Sequence, residues 1–155
     1  MSQFIDFTDR ELLERKLNLL EADTPAQFGI MSPQHMVEHL TLLLEASNGK
    51  KPLKLAYPEE KAAKVKAYFY VPENEITIGF RAPILPVGET LPLVHNNLDE
   101  AKADLWKNMQ DFDTYFQTNP DSKPENPTMG PLTHDEWIIF HTKHFTHHFK
   151  QFGLH

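Results

Sequence analysis

The segment 134–153, HDEWIIFHTKHFTHHFKQFG, contains five of the nine histidines of the chain. Its apolar residues recur every three or four positions, the spacing that places side chains on one face of an α-helix. Thr133 and Glu136 stand three residues apart at its start, which is typical of a capping box. Gly153 is a typical helix stop. We therefore predict a long final helix that runs to about Phe152.

Three more long helices are predicted from N-terminal capping signals followed by apolar periodicity. Their predicted caps are, in chain order, Thr8 with Glu11, Ser32 with Pro33 at the first helical position, and Asn97 with Glu100. The first is expected to end near residue 22 and the second at Gly49. A shorter fifth helix is expected within 58–70, PEEKAAKVKAYFY.

The stretch Val71–Leu93 interrupts this helical pattern with four prolines, at positions 72, 83, 86 and 92. Its segment 75–80, EITIGF, alternates enough for a short strand, but we expect an ordered crossover arm that packs across the helices. The arm is too apolar to remain in water. A turn-rich connector, 118–131, precedes the final helix. The expected fold is all-α, a four-helix bundle with one long proline-rich crossover, in a single domain spanning residues 1–155.

The composition excludes several classes of function. A formal charge of −7 argues against binding to nucleic acid or to an anionic membrane. No apolar run approaches the ~20 residues of a spanning helix. The N-terminal sequence lacks the features of a secretion signal, so we expect a cytoplasmic protein. Cysteine is absent, so the chain has no thiol nucleophile and a metal would take nitrogen or oxygen ligands.

The final helix is predicted to carry two adjacent rows of side chains. One row, here called the histidine stripe, consists of Trp137, His141, His144, His148 and Gln151. The neighbouring apolar row consists of Ile138, Phe145, Phe149 and Phe152. If the apolar row faces the core, the histidine stripe lies at the edge of the core or in a cavity.

His144 and His148 lie one turn apart, so both imidazoles can bind one metal ion. The zinc-protease motif is absent, because no glutamate follows the first histidine. A third ligand could come from the second helix, which contains His35 and His39. A three-histidine site would leave coordination positions open, as catalytic zinc sites do. A solvated histidine-rich face is the alternative that the residues alone leave open.

The segments HFTHHFKQ (144–151) and MVEHL (36–40) resemble the DinB-like superfamily of four-helix bundles. The longer stretches 28–40 and 126–154 resemble one uncharacterised bacterial branch of it. The resemblance implies that His39, His144 and His148 are metal ligands and that His147 is a neighbouring non-ligand. The chain departs from that branch at Phe28 and Asn126, which are often tryptophan and histidine there.

The superfamily includes metal-dependent thiol-S-transferases that use bacillithiol or mycothiol, and a mycothiol-dependent isomerase. The resemblance thus implies a small-molecule substrate and an external low-molecular-weight thiol. Zinc is the expected metal, with nickel as an alternative. A non-catalytic metal or small-molecule binding bundle with a stress-related role is the second hypothesis, and homodimerisation is left open.

We further expect Trp137 and His141 to line an opening above the metal, with substrate-binding roles, and His35 to lie at the surface.

Overall fold

The computed structural model describes residues 3–155, which form a mostly helical fold with one small antiparallel sheet. The elements are α1 (Arg10–Asn18), α2 (Pro33–Ser47), α3 (Glu59–Phe69), α4 (Leu98–Thr118), β1 (Glu125–Asn126), β2 (Gly130–Pro131) and α5 (His134–Gln151). The arrangement agrees with the predicted helical bundle. None of the helices in the described part of the chain is long and apolar enough to cross a membrane.

The core lies between α2, α4 and α5, and is closed by α1 and the segment before it. Its largest fully buried side chains include Phe7, Phe112, Trp137, Phe145 and Phe149. The N-terminal segment lies along α5, where the Ile5 and Phe7 amides donate to the hydroxyls of Thr146 and Thr142, at 2.9 and 3.0 Å. These bonds bring a segment at the start of the chain against the last helix.

The predicted helix starts at Ser32, Asn97 and Thr133 are confirmed. Each side chain accepts a hydrogen bond from the backbone amide three residues later, at 3.2, 2.9 and 3.2 Å respectively. The Thr133 box is reciprocal, since the Thr133 amide donates to Glu136 at 3.0 Å. Three of the four long helices therefore begin where the sequence indicates.

The prediction for the first helix is wrong at both ends. Asp9 caps α1, accepting from the Leu12 amide at 3.1 Å, because the Thr8 hydroxyl instead donates to Asp6 at 2.8 Å. The helix ends at Asn18 rather than near residue 22. Its last amides turn back to carbonyls three residues earlier, and this tighter turn places Leu20 in the core.

Replacement of Thr133 by alanine is expected to lower the free energy of unfolding by about 1 kcal/mol, because the Glu136 amide loses its acceptor. Thr133→Ser, which keeps the hydroxyl, is the matched control and should stay close to the parent protein. Urea titration followed by circular dichroism measures both changes. Equal stability of all three proteins would contradict a role for this cap.

The predicted crossover arm, Val71–Leu93, contains no helix or strand and is ordered by contacts at its two ends. At its start, the Lys143 ammonium donates to the Phe69 carbonyl and to the Val71 carbonyl at 2.9 Å. Just beyond its end, the Glu38 carboxylate accepts from the amides of Val94 and His95, at 2.7 and 3.0 Å. The arm is thereby attached to both α5 and α2.

The small sheet in the predicted connector was not anticipated from the sequence. Glu125 pairs with Pro131 and Asn126 with Gly130. The Asn126 side-chain oxygen accepts from the amide and hydroxyl of Thr128, both at 2.9 Å, and this bonding closes the turn. The sheet brings Asn126 beside α2, where it becomes part of a cavity wall.

Candidate metal centre

Three histidine side chains from two helices meet inside the protein. His39, His144 and His148 each offer one ring nitrogen, and these nitrogens all lie within 4.8 Å of one another. The three ring centroids form a nearly regular triangle with sides of 4.8 to 5.0 Å. Each residue is 6 or 7% exposed. The group could therefore hold a metal ion, and in the described part of the chain it is the one such group.

The helices determine this arrangement. His144 and His148 are one turn apart on α5, so both point to the same side of that helix. His39 lies in the middle of α2, which packs against α5. His39 Nε2 and His144 Nε2 are 3.0 Å apart. Two nitrogen ligands of a tetrahedral zinc ion, with bonds of ~2.0–2.1 Å, stand at about this separation.

Burial keeps these imidazoles neutral. It lowers the pKa of His39 to about 4, and the neighbouring His147 acts in the same direction. Burial also lowers the pKa of His144 and His148 well below the usual value, with further lowering from nearby histidines. Since only a neutral imidazole has a free lone pair for a metal, the three side chains are in the ligand form at neutral pH.

One ring has its orientation set by a hydrogen bond from the far end of α5. Gln151 Nε2 donates to the Phe28 carbonyl at 3.1 Å, so its oxygen is left to accept from His148 Nδ1 at 2.7 Å. This bond places the proton of His148 on Nδ1 and leaves Nε2 free for a metal. Gly29, with a φ of +78°, lies so close that an added Cβ would stand 2.8 Å from Gln151 Nε2.

The other two rings have no such support. Nδ1 of His39 and Nδ1 of His144 are buried without a hydrogen-bond partner among the described residues, and their Nε2 atoms face each other. The lone pairs of the two Nε2 atoms face each other unless one ring carries its proton on Nε2. A metal cation bound by both Nε2 atoms would use both lone pairs at once.

Replacement of Gln151 by methionine is expected to weaken zinc binding roughly 10- to 100-fold, since His148 would lose the bond that orients it. Gln151→Glu loses the donor to the Phe28 carbonyl but keeps an acceptor for His148 Nδ1, so as the control it should bind zinc more tightly than the methionine variant. Competition with a zinc-sensitive dye measures both affinities. A methionine variant as tight as the parent would show that the His148–Gln151 bond has no part in metal binding.

The three histidines open onto a cavity of about 560 Å³. The crossover arm forms one side of this cavity, with Ile76, Ile84 and Leu85 among the lining side chains, and α2 forms the other. The arm packs across the helices as predicted. The expectation that it is too apolar to remain in water is wrong for several of its side chains, including Ile78, Phe80 and Val87, which are exposed.

Trp137 and His141 do not line this cavity, contrary to the expectation from the sequence. Both are fully buried. His141 lies in an aromatic cage, with ring centroids 4.8 Å from Phe7 and 5.3 Å from Trp137. His141 Nε2 bonds to the Ser47 hydroxyl at 2.9 Å, and burial lowers the pKa of His141 to about 3. The N-terminal segment covers this part of α5. The N-terminal part of the histidine stripe, Trp137 and His141, is therefore buried in the core.

The other histidines have different surroundings. His35 bonds through Nδ1 to Ser32 at the start of α2 and lines the cavity, so it is not a free surface residue. His147 also lines the cavity and packs against Phe28, with ring centroids 5.4 Å apart. It bonds to the backbone of Ile76 on the arm. Neither belongs to the group of three nitrogens.

Two supporting residues were not assigned a role from the sequence. Gln151 was placed on the histidine stripe, but its bond to His148 depends on the Phe28 carbonyl, which lies far away in the chain. Asn126 lines the cavity with its side-chain nitrogen buried and without a partner among the described residues. The sequence did mark position 126 as unusual, because the branch that the chain resembles often has histidine there.

Comparison with known proteins gives no relative for this chain. No family model matches it, and neither a curated protein nor a solved structure is similar enough to count as a match.

Proposed function

We propose that the protein is a DinB-like divalent-metal protein that acts on a small electrophile through an open three-histidine site. The observation that carries this proposal is the group His39, His144 and His148, whose ring nitrogens meet at the wall of a cavity large enough for a small molecule. Zinc is the proposed ion and nickel the alternative, since both suit neutral imidazole ligands. No aspartate or glutamate of the described chain joins the group.

The resemblance of the sequence supports the same assignment. The segments 36–40 and 144–151 carry the three histidines that the DinB-like pattern would use, and these are the three that the folded chain brings together. The packing adds the distance between α2 and α5, which the spacing of the histidines alone does not give.

A zinc ion held there would supply a Lewis acid that lowers the pKa of a thiol or of water. The protein's own residues perform the rest. Burial keeps the three imidazoles neutral, and Gln151 orients His148. The arm forms one apolar side of the cavity. Since the chain has no cysteine, a thiol would come from a low-molecular-weight cofactor of the cytoplasm, where thiols remain reduced.

A non-catalytic binding protein is the second candidate, and one observation favours it. The carboxylate next to the histidines, Glu38, is committed to the backbone amides of Val94 and His95. His147 is likewise bonded to the arm. Glu38 and His147 are therefore not free to serve as a general base beside the metal.

The two candidates differ in metal-dependent turnover. In the test, untagged protein is loaded with zinc and given bacillithiol and monochlorobimane, whose chloride is displaced by the thiolate sulfur while the thiol proton goes to buffer. Catalysis that disappears after chelation and in His144→Ala supports the enzyme. Zinc binding with only the background rate supports the binding protein. Failure of the untagged protein to bind zinc or nickel would overturn both.

A further inference from the structure

We infer that the ligand of the cavity carries an unbranched apolar chain, which extends from the three histidines along α2 toward its C-terminal end. The inference deepens the proposed function by naming a substrate class, and it rests on that function for the position of the polar head group. The chain itself would be held by apolar walls of α2, α3, α5 and the arm.

An apolar wall begins at the metal centre. The ring of Phe140, one turn before His144 on α5, has its centroid 5.1 Å from that of His144. Phe69 of α3 stacks on Phe140, with centroids 5.6 Å apart. On the opposite helix, Leu43 follows His39 by one turn. All of these side chains line the cavity.

The wall continues beyond Phe69. Val65 precedes it by one turn of α3, and Leu42 faces the same space from α2. Ile84 and Leu85 of the arm line the side opposite α2. From His39 to Glu45, the α2 residues that line the cavity span about 9 Å along the helix axis. An apolar wall of this length suits an apolar chain better than a compact polar metabolite.

Several polar side chains beside the apolar wall are committed to the protein. Glu38 accepts from the amides of Val94 and His95, Glu45 pairs with Lys51 at 3.6 Å, and Thr41 donates to the Val37 carbonyl at 3.0 Å. The buried nitrogen of Asn126 has no partner among the described residues and could serve a single acceptor on the ligand. Tyr68, Arg81 and Glu89 also line the cavity, but they are exposed, so polar groups of a ligand held along the wall would find few partners, at a cost in free energy.

Straight-chain hydroxamates test the inference, because their head group binds zinc and their length can be varied. Acetohydroxamate and its homologues up to decanohydroxamate are titrated into zinc-loaded protein by calorimetry. Each added methylene that becomes buried should raise the affinity about fourfold, until the cavity is filled. The same series titrated into chelated protein measures the contribution of the apolar chain to affinity in the absence of the metal.

A pair of variants locates the chain. Val65→Trp fills part of the space along the wall and should abolish the gain from the longer homologues. Ala63→Trp introduces the same ring on the same helix, but residue 63 is exposed and does not line the cavity. It should keep the full dependence on chain length.

The outcomes separate this inference from the proposed function. If acetohydroxamate binds but longer chains bind no tighter, or if Val65→Trp and Ala63→Trp behave alike, the apolar-chain inference is overturned and the metal site stands. If the protein takes no zinc yet affinity in chelated protein still rises with chain length, the proposed function fails and the inference holds. Absence of binding by every homologue in both forms overturns both.

Discussion

Replacement of His148 by alanine is expected to remove zinc from the protein almost completely. The variant loses one of three ligands, whereas loss of a hydrogen bond to a ligand alone typically costs 10- to 100-fold in metal affinity. The loss for His148→Ala should therefore exceed that of the Gln151 variant. Elemental analysis of untagged protein, chelated, reloaded with zinc and desalted, measures the metal content. His39→Ala should behave in the same way.

His147→Ala is the matched control, because His147 is the next residue on α5 and lines the same cavity but lies outside the group of three nitrogens. It should retain the zinc content of the parent. Wild-type metal content in both His39→Ala and His148→Ala would refute the three-histidine site. Loss of zinc in His147→Ala with retention in His148→Ala would instead mean that the ligand on this turn has been misassigned.

Acidification of the chelated protein is expected to unfold it near pH 5, the second large effect. Burial lowers the pKa of His39 to about 4 and that of His141 to about 3. In the unfolded chain these groups titrate near ~6.5. Between these values the unfolded state binds more protons than the folded state, so stability falls as the pH falls. The stabilisation that these buried neutral histidines provide is fully present only above about pH 6.5.

The size of this effect follows from about 1.4 kcal/mol per pH unit for each such histidine. Between pH 6.5 and 5, His39 and His141 together should remove about 3 kcal/mol of unfolding free energy, since the unfolded histidines are only half protonated at pH 6.5, and His144 and His148 act in the same direction. This is a large part of the ~5–15 kcal/mol that stabilises an ordinary domain. Urea titrations at a series of pH values measure the slope.

His141→Phe separates the two contributions. It removes the buried histidine of the aromatic cage but leaves the three-histidine group in place, so the pH slope should become shallower by the share of one proton. Saturating zinc should move the acid transition of the parent protein to lower pH, because the metal binds only the folded form. A chelated protein equally stable at pH 7 and pH 5 would contradict the burial of neutral histidines.

The parts of the fold that were predictable from the sequence depend on local signals. Ser32, Asn97 and Thr133 were readable as caps because a capping bond spans only three residues. The start of α1 was not, since Thr8 and Asp9 both suit the position and the choice depends on the bond of Thr8 to Asp6. The crossover arm was predictable because its prolines exclude a regular helix.

The candidate site was also predictable only in part. The i,i+4 spacing and the resemblance indicated His39, His144 and His148 as metal ligands, and α2 and α5 bring these side chains together. The position of His141 depends on contacts with Phe7 and Ser47, which come from distant parts of the chain. A helical stripe predicts which side chains share a face, but not how far along that face the core extends. The stripe therefore placed Trp137 and His141 at an opening that lies elsewhere.

The close approach of Gly29 to Gln151 has a consequence for mutational tolerance. Gly29 lies in a loop, has no side chain to bind anything, and is not a candidate ligand. Any other residue there would have to adopt a left-handed backbone and would displace the amide that orients His148. In a saturation mutagenesis screen selected for metal content, we therefore expect position 29 to tolerate fewer substitutions than other exposed loop positions, although more than the three histidines.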